Sequence, residues 1–115
     1  MTKPKDITET LPVERLELFE ERLDVYLEAL TVLYHTEPYD GHDFDYLIVM
    51  GEMYAKNEPT LKQNVTLIVT AYNSAGRVIG LEECKFWKHR FFGLEAFQVK
   101  MKLHEMPIKI RIYPR

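Results

Sequence analysis

From Phe97 to Leu103 apolar and polar side chains alternate without exception. Phe97, Val99, Met101 and Leu103 share one phase; Gln98, Lys100 and Lys102 share the other. A period of two is that of a β-strand, and a strand with one apolar face must bury that face against a second layer. The same demand recurs along the chain. Ile108, Ile110 and Ile112 alternate with Lys109 and Arg111, and Val65, Leu67, Val69 and Ala71 point opposite to Thr66, Thr70 and Tyr72. Two sheets packed face to face, or one sheet packed on a helix, satisfy it. The pattern predicts strands over 46–55, 61–73, 77–88, 96–104 and 107–113, with the last two forming a hairpin. The expected core is Val69, Phe97, Val99, Met101, Leu103, Ile108, Ile110 and Ile112. Asn73-Ser74-Ala75-Gly76 has hairpin chemistry, Gly76 supplying a positive φ. Gly51 marks a bulge or a close approach, and the apolar phase of the third strand slips across Glu82-Glu83.

Before Phe44 the period differs. Leu16, Phe19, Leu23, Tyr26, Leu27, Leu30, Leu33 and Tyr34 fall within an arc about 120° wide at 3.6 residues per turn. Glu17, Glu20, Glu21, Asp24 and Glu28 occupy the opposite arc. Thr10 can cap such a helix and Pro12 suits its first turn. The expected organisation is a disordered tail over 1–9, a long amphipathic helix over 10–35, a polar connector over 36–43 and an antiparallel immunoglobulin-like β-sandwich over 44–115. Helix and sandwich together make one domain. A second stripe on the helix, Leu11, Leu18, Val25, Ala29 and Val32, is left over once the main arc is buried. Four of these repeat every seven residues, the spacing shared by two packed helices. The expected use of Leu18, Val25, Ala29 and Val32 is therefore self-association, as a homodimer or other homo-oligomer.

Composition narrows the class. A chain of 115 residues, 46% hydrophobic and 29% charged, suits one globular domain and is too apolar for disorder. A single cysteine excludes an internal disulfide. No apolar run reaches membrane-spanning length, and the first ten residues lack a secretory apolar core, so no membrane partner and a cytoplasmic location are expected. The net charge of −3 conceals an asymmetry. Residues 1–45 hold four basic and twelve acidic residues, net −8; residues 46–115 hold eleven and six, net +5. Attraction between the two halves is the simplest consequence.

Gly51 and Asn57, the stretch Val69-Thr70-Ala71-Tyr72-Asn73, and then Gly76 with Val78-Ile79-Gly80 resemble the FxLYD-type immunoglobulin-like domains. The likeness spans residues 46–113, with Tyr72 and Gly76 agreeing directly. It implies a β-sandwich used as a binding or accessory module, commonly on exported proteins, with no catalytic residues to carry over.

Sites of chemistry are sparse. His35, Asp40, His42, Asp43 and Asp45 offer ligand types for a divalent metal, but without helical His-x-x-x-His spacing, and neither metal nor cofactor is expected. Cys84 lies within a strand, and Ser74, the lone serine, sits in a turn. No nucleophile elbow, phosphate loop or dinucleotide fingerprint is present. An enzyme with an unrecognised site is thus a minor alternative. Phe86-Trp87-Lys88-His89-Arg90-Phe91-Phe92 interleaves aromatics with cations. Trp87, Arg90, Phe91 and Phe92 have the composition of a protein-binding hot spot. Outward Lys100, Lys102 and His104 beside Lys109 and Arg111 would make a basic sheet face, the basis of a second alternative, nucleic-acid binding. A pI near 5.8 argues against it. The primary expectation is a non-enzymatic protein-interaction or assembly module with an unidentified protein partner.

Overall fold

In the computed structural model, which describes residues 3–57 and 59–115, two four-stranded sheets face each other. The strands are β1 (Lys5–Asp6), β2 (Val13–Arg15), β3 (Val25–Tyr39), β4 (His42–Ala55), β5 (Val65–Tyr72), β6 (Val78–Phe86), β7 (Leu94–Leu103) and β8 (Lys109–Pro114). One sheet has the order β1-β3-β4-β7, all antiparallel. The other has the order β2-β8-β5-β6, with β2 parallel to β8. Leu47, Val49 and Met53 of β4, with Phe97, Val99, Met101 and Leu103 of β7, fill the core against Leu67, Val69, Ala71, Ile110 and Ile112. Lys100 and Lys102 stay exposed, as the alternation requires.

The long N-terminal helix over 10–35 does not form. Among the described residues a single helix, α1 (Glu17–Leu23), lies between β2 and β3 and ends at Asp24, whose left-handed φ of 53° turns the chain. Residues 25–39 are instead a strand, the first arm of a long hairpin with β4. The helical spacing has a specific origin. Val25 and Leu27 alternate inward with β-branched and aromatic neighbours, as a strand does. An irregularity between Glu28 and Thr31 then inserts one residue, seen as a register shift against β4. Val25 and Val32 are seven apart, an odd separation that would place them on opposite faces of an unbroken strand. The inserted residue returns Val32 to the core, where both side chains are buried. A strand with one bulge has thus imitated a helix face.

Other boundaries shift with it. Residues 3–9 are not a free tail: β1 pairs with Leu33 and Tyr34, and Ile7 is buried. Met1 and Thr2 lie outside the described residues. The 36–43 connector is the distal end of the β3–β4 hairpin, turning at Asp40-Gly41. β7 and β8 do not form a hairpin, because the chain between them crosses from one sheet to the other. Ile108 is 53% exposed at that crossing rather than in the core. The slip expected at Glu82-Glu83 falls instead opposite Ala71/Tyr72. Gly51 is a close-packing point. A Cβ there would lie 2.9 Å from Leu30 Cδ2 and 3.1 Å from the Glu28 carbonyl oxygen.

Candidate interaction surface

The segment joining β6 to β7 closes the end of the sandwich where β3 and β5 begin. Phe91 fixes it. Its ring is 4% exposed and meets Phe86 edge-on, with centroids 6.3 Å apart. The backbone is tied on both sides. Phe91 and Arg90 N–H groups donate to the Trp87 carbonyl, and the Lys88 N–H donates to Asn64 Oδ1 at 2.9 Å. The Gly93 N–H donates to the Pro59 carbonyl, and Thr60 Oγ1 donates to the Lys88 carbonyl. Gly93 has φ 82°, the left-handed conformation a glycine adopts without a Cβ penalty. Phe91's neighbour points outward. Phe92 is 81% exposed and Trp87 is 42% exposed. Leu94, also exposed, pairs with Tyr54 and extends the outward row of Tyr26 and Tyr54, whose rings stack 5.0 Å apart.

Of the four residues expected to bind a partner, the structure therefore presents Trp87, Arg90 and Phe92 and withdraws Phe91 into the core. Leu94 was missed because it lies past the glycine, where the sequence shows only the start of a strand. Its outward phase follows from counting back from Phe97, odd inward and even outward. Among the described residues, Arg15, Lys62, Lys100, Lys109 and Arg111 are held in ion pairs; Lys88 and Arg90, like the remaining cations, are not.

The self-association stripe is dismantled. Leu18 is exposed on α1, Val25 and Val32 are core residues of β3, and Ala29 sits at the bulge with φ 55°. These four share no face. The basic sheet face is dismantled too, since Lys100 and Lys102 belong to one sheet and Lys109 and Arg111 to the other. Lys100, Lys109 and Arg111 are each held by a carboxylate. Arg111 donates to Glu14 at 2.6 Å and to the Tyr72 hydroxyl at 3.1 Å, and Lys109 lies 3.6 Å from Glu14. The Arg111 hydrogen bond holds the Glu14 carboxyl below its ordinary range. Lys100 lies 3.2 Å from Glu37, whose carboxyl is held low first by His35 and then by Lys100. With Lys62–Asp24 at 2.7 Å, these contacts join the acidic first half to the basic second half.

His35 is buried on the outer face of β3, stacked 5.7 Å from Tyr46, with Nε2 2.8 Å from Glu37 Oε1 and Nδ1 without a hydrogen-bond partner. Asp40, His42 and Asp43 lie at the far hairpin end. Among the described residues no three His, Cys, Asp or Glu side chains converge as metal ligands. Cys84 is half-buried, and burial raises its thiol pKa. No helix of the described residues is long and apolar enough to cross a membrane. The chain matches no family model, no curated protein and no solved structure.

Proposed function

We propose that this chain is a non-enzymatic interaction module that binds another protein through the Trp87–Leu94 tip. One observation carries the reading: a loop anchored by buried Phe91 holds Phe92 almost wholly in water. Leaving a phenylalanine exposed forfeits about 1.5–3 kcal/mol of burial. A loop already fixed by hydrogen bonds loses little conformational entropy when a partner covers that ring. Trp and Arg beside it are the residue types in which binding energy concentrates. Exposed Lys88 and Arg90 beside the aromatics suit an acidic rim around an apolar pocket on the partner. The FxLYD-like residues Tyr72 and Gly76 agree with a binding module. The dispersal of the basic rows removes the main support for nucleic-acid binding.

The test compares affinity captures from the native cell using wild type, Phe92→Ala, Trp87→Ala and the remote surface variant Leu18→Ala. A protein retained by wild type and Leu18→Ala and lost from both tip variants is the expected result. Identical captures from all four proteins would overturn the assignment. Unchanged melting temperatures confirm that the tip variants are folded.

A further inference from the structure

We propose that β7 is the pairing edge of a homodimer: residues 96–103 of one copy add antiparallel to the same residues of a second, joining two four-stranded sheets into one of eight. The edge lies beyond the Trp87–Phe92 segment and does not depend on what that segment binds. Two hydrogen bonds fix the phase of the backbone. The Ala55 N–H donates to the Gly93 carbonyl, and the Ile7 N–H donates to the Val32 carbonyl, both at 2.9 Å. Antiparallel ladders alternate bonded and non-bonded pairs, and both contacts give the same alternation along β3, β4 and β7. Phe97, Val99, Met101 and Leu103 therefore turn their N–H and C=O groups toward β4. Ala96, Gln98, Lys100 and Lys102 turn theirs away from it. Among the described residues no strand lies beyond β7.

The other edges differ. β1 and β2, two and three residues long, end the sheets on the opposite side. Such short edge strands offer little to pair with. β3, partly uncovered beside β1, carries its bulge and Pro38. β6 is long but guarded. Glu82 stands on its inward phase, opposite core residue Val69, and its ladder with β5 shifts register at Ala71/Tyr72. Inward charges, prolines and bulges are the devices that keep an edge from pairing. Residues 96–103 have none of them. Their rungs with β4 run without a shift, their inward side chains are all apolar, and they contain no proline. The two lysines are drawn back over the sheet. Lys100 Nζ lies 4.3 Å over the Tyr46 ring and 3.2 Å from Glu37, and Lys102 Nζ lies 3.6 Å over the Phe44 ring. Both ammonium groups are thereby held on the side of β4 and not at the open edge.

A second copy of β7 fits because the four open residues are their own complement. A two-fold axis through Val99, perpendicular to the sheet, sets Ala96 opposite Lys102 and Gln98 opposite Lys100 of the other copy. All four open residues of each copy are then used, in four rungs of two backbone hydrogen bonds each. Sliding by one residue sets open groups against engaged ones. Sliding by two leaves three rungs, and in one direction it puts Lys100 against Lys100. The full register keeps lysine beside alanine and glutamine. On the core side it places Val99 against Val99 and Phe97 against Met101. The joined stretch is about 26 Å long and smaller than a standard interface, so the dimer is weak. β6 sets a further limit. Phe86 meets Phe97 at 6.1 Å and Gly80 lies against Met101, so Glu82 and Glu83 are level with Val99. The axis brings these carboxylates of the two copies toward each other, and their repulsion keeps the β6 edges apart.

Sedimentation velocity from about 1 µM to about 500 µM should show a monomer–dimer equilibrium with a dissociation constant of about 10–100 µM. Gln98→Pro removes an open N–H that the ladder with β4 does not use. It should weaken the dimer at least tenfold while far-ultraviolet circular dichroism and the urea midpoint show it folded. Glu82→Gln with Glu83→Gln should tighten the dimer, and a looser one overturns the register. Residue-resolved amide exchange by NMR locates the contact in the wild type. The amides of Ala96, Gln98, Lys100 and Lys102 should slow roughly threefold or more between about 10 µM and about 500 µM, with those of Phe97 and Val99 unchanged. A wild type that remains monomeric throughout the range overturns the proposal. So does a dimer whose four open amides exchange equally fast at both concentrations, or one that folded Gln98→Pro leaves intact. Phe92→Ala should keep the dimer; its loss there would assign self-association to the tip and overturn the edge.

Discussion

Ala29→Gly has opposite signs in the two conformations that residues 25–34 could adopt. In a helix interior, glycine costs about 1 kcal/mol relative to alanine. In the structure Ala29 is exposed at the bulge of β3 with φ 55°. A non-glycine residue in the left-handed region costs about 1–2 kcal/mol, which glycine relieves. Against this, glycine widens the unfolded ensemble by about 0.4–1 kcal/mol. Little methyl burial is lost at an exposed position. The balance is a stabilisation of about 0.5–1 kcal/mol, or a melting temperature higher by about 2–5 °C for a chain of this size. Urea unfolding followed by tryptophan fluorescence and far-ultraviolet circular dichroism measures it, with an unchanged slope certifying that only stability moved. A variant destabilised by 0.5 kcal/mol or more would refute the bulge conformation and restore the helix.

Acid should destabilise the protein through the carboxylates that bridge its two halves. Glu14, Asp24 and Glu37 are held below their ordinary values by hydrogen bonds from Arg111, Lys62 and His35 respectively. A depressed folded-state pKa contributes stability above the unfolded value that is lost as pH falls through the folded one. The urea midpoint should therefore hold from pH 7 to about pH 5 and fall below about pH 4. Glu14→Gln should show a shallower fall, and a midpoint that rises on acidification contradicts the assignment. Cys84, whose thiol pKa burial raises, should react with an aromatic disulfide at pH 8 at least tenfold more slowly in folded than in urea-unfolded protein. Equal rates would show it to be freely accessible.

The alternation in β7 and β8 was legible because each strand has one wet face, so side-chain polarity reports orientation directly. Phe97, Val99, Met101, Leu103, Ile110 and Ile112 are all buried as their phase requires. β3 was illegible for the complementary reason. Its bulge broke the period of two, and the remaining spacing fitted 3.6 as well as it fitted a strand. The Trp87–Phe92 segment was legible as a composition of aromatics and cations. Which aromatic is anchor and which is exposed depends on Phe91 finding Phe86, a contact between side chains on different segments.

By itself the sequence determined that most of the chain is β and which side chains of its regular strands turn inward. Those properties follow from local periodicity and the cost of exposing apolar surface. Tertiary structure decided which strands are neighbours. β7 and β8, consecutive in the chain, lie in different sheets, so Lys100 and Lys109 never share a face. It also decided that residues 25–39 pair with β4 rather than coil. Pairing with β4 supplies the backbone hydrogen bonds of β3, and the bulge keeps Val25, Leu27 and Val32 on the buried side. An isolated amphipathic helix gains little from its own backbone, whereas the hairpin buries its apolar face in the common core.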